Sequence, residues 1–106
     1  MPKFLLKASY TSQGVKGIMD AGGTSRRDAV AAMAAEVGGK VESFYFAFGG
    51  TDAYVIVDYP NNQTAAAASM AVNASGAVTA EVVVLLTPEE IDEAAEVPNS
   101  YRPPGA

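Results

Sequence analysis

Residues 41–59 read VESFYFAFGGTDAYVIVDY. Two runs rich in aromatic and β-branched residues flank Gly49, Gly50, Thr51 and Asp52, the pattern of two strands folded back through a turn. Register decides which side chains share a face, because a slip of one residue turns every side chain over. Pairing Phe48 with Ala53, Phe46 with Val55 and Phe44 with Val57 gathers phenylalanines and valines on one face. Ser43, Tyr45 and Ala47 then oppose Asp58, Ile56 and Tyr54 on the other. The slipped alternative sets Glu42 against Asp58, a like-charge pair. The preferred register leaves residues 49–52 as the loop. There the glycines supply positive φ and the Asp52 carboxylate accepts backbone N–H groups across the turn. A phosphate cradle would need a helix after the glycines and usually a lysine; here a strand follows.

Outward from this hairpin the chain alternates strands and helices. Residues 3–10 set Phe4, Leu6, Ala8 and Tyr10 on one face and Lys3, Leu5, Lys7 and Ser9 on the other, a strand with one buried and one mixed side. A short helical turn is expected after Thr11 or Ser12, broken at Ala21, Gly22 and Gly23. Thr24 or Ser25 is the expected cap of a second, better helix with Val30, Met33, Ala34 and Val37 at helical spacing, stopped by Gly38 and Gly39. Asn61 or Asn62 opens an alanine-rich helix that closes near Gly76, and residues 77–86 form a fourth strand. Thr87 then caps a short helix with Pro88 at its first position and acids in its first turn. Residues 1–97 read as one domain and 98–106 as a proline-rich tail.

The order β-α-β-β-α-β is that of an α+β, ferredoxin-like fold: a four-stranded antiparallel sheet with both crossover helices on one face. The other face is left uncovered. It would carry Leu5, Tyr45, Tyr54, Ile56, Val83 and Leu85, too much apolar surface for a small monomer to leave wet. A second copy packing sheet to sheet, a dimeric α+β barrel, is the expected solution.

Composition narrows the chemistry. The 106 residues carry a net charge of −5, and of the seven basic residues only Arg26 and Arg27 are adjacent. Nucleic acid and anionic membrane are therefore poor partners. There is no cysteine and no histidine, which removes thiol nucleophiles, Ser-His-Asp triads, haem ligation and the usual zinc ligands. Carboxylates alone form no recognisable calcium or magnesium loop, so neither a metal nor an organic cofactor is expected. The apolar runs are too short for a signal peptide or a membrane span, and a soluble, cytoplasmic protein is the expectation.

Three local patterns, TSQGVK after the first strand, AAEVGGKVESFYFAFGGTDAYVIVDYP through the hairpin and AVTAEVVVLLTPEE near the end, resemble the GYD domain family over residues 2–91. The resemblance implies a dimeric α+β barrel in a family without an established activity. The family's hairpin motif falls on Gly49, Thr51 and Asp52, with threonine where the family usually has tyrosine.

Candidate ligand-binding residues are Lys7, Tyr45, Tyr54 and Glu81. Glu81 lies between Ala80 and an apolar run. A carboxylate desolvated there could carry a proton; the alternative is an ion pair with Lys7 on the neighbouring strand. The tyrosines could stack on a planar ligand or pack an interface. The leading expectation is a homo-oligomer holding a small hydrophobic or aromatic metabolite over the sheet. A non-catalytic assembly module is the alternative. Third comes a cofactor-independent isomerase, cyclase or monooxygenase, with Glu81 or Asp52 as base.

Overall fold

A computed structural model describes residues 1–105. The strands are β1 (Lys3–Tyr10), β2 (Lys40–Phe46), β3 (Ala53–Asp58) and β4 (Val78–Leu85); the helices are α1 (Ser12–Ala21), α2 (Gly23–Glu36), α3 (Asn62–Ala74) and α4 (Pro88–Ala95). All four strands lie in one antiparallel sheet in the order β2-β3-β1-β4. The chain is therefore α+β with element order β-α-α-β-β-α-β-α. The first crossover contains two helices.

One face of the sheet is packed. Phe4 and Leu6 of β1 and Val55 and Val57 of β3 are buried with Tyr59, Ala34 of α2 and Ala65 of α3. Each large apolar side chain removed from water contributes about 1.5–3 kcal/mol. Alanine at both helical contact points lets the helices lie close to the sheet. Gly14 takes this further: a Cβ there would sit 2.2 Å from the carbonyl oxygen of Ala77, so only glycine lets α1 approach the turn before β4.

The first crossover departs from the sequence expectation. α1 is a full helix of 10 residues, and the Thr11 side chain caps it by accepting from the Gly14 N–H. α2 does not wait for Thr24 or Ser25. Gly22, at φ 91°, closes α1 and opens α2 in one residue, and no side chain caps the second helix. That φ is open to glycine and costly for other residues, so the break lies where the glycines are, with no room for a capping residue after it. The other caps are as expected: Asn61 accepts from the Thr64 N–H, and Thr87 forms a capping box with Glu90.

The hairpin register also differs. Phe46 pairs with Ala53, Tyr45 with Tyr54, Phe44 with Val55 and Ser43 with Ile56, with an irregularity between Val41 and Ser43. From Ser43 to Phe46 the shift from the expected pairing is two residues, so these side chains keep their faces while their partners change; past the irregularity Val41 turns to the packed face, opposite Val57. Phe48 is expelled from the packed face and is 99 % exposed. Residues 47–52, not 49–52, form the loop. The cause is the far end of the hairpin: the Asp52 N–H donates to the Ala8 carbonyl of β1 at 2.8 Å, and the Ala47 N–H closes the loop on the Asp52 carbonyl at 2.7 Å.

α4 makes no extended contact with any other element. The radius of gyration is 16.8 Å and the longest extent 56 Å, against about 13 Å for the radius of a compact chain of this length. α4 and the tail stand off the body.

Candidate functional site

The uncovered sheet face is built in rows, because residues paired across antiparallel strands lie side by side. Tyr45 pairs with Tyr54, Tyr54 with Lys7 and Lys7 with Glu81. All four residues picked out by sequence thus form one row across all four strands, about 14 Å long at the usual strand spacing. The next row is Ser43, Ile56, Leu5 and Val83, and the one beyond it Lys40, Asp58, Lys3 and Leu85. An apolar band therefore runs between two polar rows.

Charge pairing follows that layout. The Lys7 Nζ lies 3.9 Å from Glu81 Oε2, the expected cross-strand pair at its long limit. The Glu81 side chain is 71 % exposed; in the single chain it is solvated, and a pair so exposed contributes about 0–1 kcal/mol. At the opposite margin the Lys3 ammonium donates to Asp58 at 2.9 Å and to Glu42 at 3.0 Å. The bond to Asp58, then that to Glu42, holds the amine above its ordinary pKa.

Gly49, Gly50, Thr51 and Asp52 act as a clasp. The Asp52 carboxylate accepts the Tyr10 N–H at 2.9 Å, and the Ser9 hydroxyl donates to the Gly50 carbonyl at 2.8 Å. Gly49 has φ 128°, and the loop between β2 and β3 is tied to the end of β1. The carboxylate is committed to a backbone amide.

A second concavity lies on the helical side and escapes sequence reasoning. A hollow of about 340 Å³ opens between α1, α2 and the adjoining ends of β1 and β4, where Tyr10, Gln13, Ile18, Ser25, Arg26 and Val78 line it. Arg26 also borders a smaller hollow of about 290 Å³ toward α3. Its Nε is buried and has no hydrogen-bond partner. A signal was present: Arg26 has no acid three or four residues away and sits near the start of a helix, where the dipole disfavours a cation.

The family model of the GYD domain matches residues 4–95. The chain belongs to the GYD domain family. No curated protein and no solved structure matches it. The matched span of this GYD domain runs from β1 to the last residue of α4, so it takes in the open face, the clasp and the helical hollow alike. Among the described residues, no helix is long and apolar enough to cross a membrane.

Proposed function

We propose that this GYD domain protein works as a homo-oligomer, at minimum a dimer, whose facing sheets enclose a cleft for a small hydrophobic or aromatic metabolite. The observation that carries the reading is the uncovered sheet face, with Leu5, Ile56 and Val83 in a band beside the row Tyr45, Tyr54, Lys7 and Glu81. Apolar surface of this kind is the usual mark of an interface or a ligand site. Covering it would desolvate Glu81 and set the two tyrosine rings as walls for a planar ligand.

α4 supports the same reading. An eight-residue helix is marginal in water without a surface to pack on, and its own body supplies little. A second copy brings one.

The alternative is a non-catalytic assembly module whose sheet face is consumed by the interface. It is favoured over an enzyme by Asp52, whose carboxylate is held by the Tyr10 amide, and by the solvated state of Glu81. Native mass spectrometry separates these. An oligomer carrying a reproducible mass that is lost on denaturation supports the binding barrel. A bare oligomer supports the module, and a monomer at micromolar concentration overturns both.

A further inference from the structure

We propose that the hollow between α1, α2 and the ends of β1 and β4 is a second binding site, specific for a small, single-ring carboxylate that Arg26 holds by its carboxylate group. The site is on the opposite side of the sheet from the row of Tyr45, Tyr54, Lys7 and Glu81, and stands independently of the proposed cleft.

Three observations converge on this ligand class. First, Arg26 Nε is a buried donor without a partner. Such a group costs stability unless something supplies an acceptor, and among the described residues the guanidinium has no ion-pair partner. No aspartate or glutamate lines either hollow beside it. In a chain of net charge −5, this is a concavity whose only charge is positive. A guanidinium fork matches a carboxylate in geometry.

Second, the rest of the wall is mostly apolar or small, with Ile18, Ala29 and Val78 among its residues. A phosphate would need several donors around it. One guanidinium, with the Ser25 hydroxyl and the Gln13 amide nearby on the wall, suits a monoanion with an apolar body instead. The Tyr10 ring, backed by Phe46 at 6.5 Å between centroids, gives an aromatic surface to pack against.

Third, the space is the right size and is kept open by the sequence. The volume of about 340 Å³ is at the small end of ligand pockets and equals roughly eleven waters' share of liquid volume. One ring and a short acidic arm fit within it, since a cavity of about 150 Å³ already holds a benzene ring. Gly17 and Gly22 border the hollow, and a Cβ on either would meet no neighbouring atom. Space is left at both positions where a side chain would reduce it.

The test is titration of the full-length protein with phenylacetate, followed by amide NMR and calorimetry, with neutral phenylacetamide as the matched control. The expected result is saturable binding that shifts the Gly14, Gly17 and Gly22 amides, at least about tenfold weaker for phenylacetamide because the charge-assisted hydrogen bond is lost. Arg26→Met should weaken phenylacetate binding by a similar factor while leaving the unliganded melting temperature unchanged or higher, since it removes the unpaired buried donor. Lys16→Met, which removes a positive charge from α1 outside the hollow, should bind phenylacetate as the wild type does. The proposal is overturned by no saturation at millimolar phenylacetate, by equal affinity for the amide, or by binding that Arg26→Met keeps at full strength. Wild-type amide mapping and the phenylacetamide comparison decide the question even if Arg26→Met fails to fold.

Discussion

Asp52 shows how one side chain fixes a register. Its carboxylate takes the Tyr10 N–H, while its own N–H and carbonyl bond to β1 and to the start of the loop. Asp52→Ala removes the acceptor and leaves the Tyr10 amide short of a partner, which should cost about 1–3 kcal/mol in urea unfolding. Asp52→Asn keeps an acceptor oxygen and should cost less than half of that. Equal losses for both variants would show that charge, not the acceptor, is what matters. Sequence reasoning saw that this residue accepts backbone bonds but gave it the wrong partner, a turn amide in place of a strand amide 42 positions away. Composition reveals that a carboxylate near glycines will bond to backbone; it does not reveal which backbone. Arg26 was missed for a related reason, because a lone arginine on a helix reads as solvated until the elements around it are placed.

Elements were more legible than their junctions. Strand faces followed from alternation, and the faces of residues 43–46 survive a register error of two because side chains repeat with that same period; Val41, beyond the irregularity, changes face. The partner of each residue does not survive it, since it depends on a contact between the hairpin loop and β1 that lies outside the hairpin. Within α1, two glycines of like appearance have opposite expected effects. Gly14→Ala forces a Cβ onto the Ala77 carbonyl and should destabilise by about 1–3 kcal/mol. Gly17→Ala meets nothing and should stabilise by about 0.5–1 kcal/mol through helix propensity. Thermal melts of the pair check this directly, and a shared sign would refute the packing of α1. α4 carries a pH dependence. The Thr87 backbone N–H, then the Thr87 side chain, holds the Glu90 carboxyl below its ordinary pKa. A depressed carboxyl stabilises the helix above the usual glutamate range and loses that effect as pH falls through the lowered value. Protection factors of the α4 amides, which correct for the slower intrinsic exchange in acid, should therefore fall at acid pH, and Glu90→Gln should flatten the response.

For the whole molecule, the sheet has one packed and one open side, and the proposed assembly rests on the open side. Leu5 sits mid-band between Ile56 and Val83. Leu5→Asp should leave the circular dichroism of the sheet intact and shift the sedimentation coefficient to that of a monomer; an unchanged oligomer would place the interface elsewhere. The packed side and the unpacked side could both be read from the sequence, because alternation names two faces and only one set of helices is available to cover them. Where α4 would rest is not legible from the chain, since α4 meets no other element extensively. The central position of β1 has a consequence for biosynthesis. The strand made first is flanked by β3 and β4, with Lys3 paired to Asp58 on one side and to Leu85 on the other. A nascent chain can pair this central strand with β3 once residue 58 has left the ribosome, but its other edge stays open until β4 follows. Chains ending before Val78 should stay protease-sensitive and prone to aggregate, which makes complete translation itself a condition for folding.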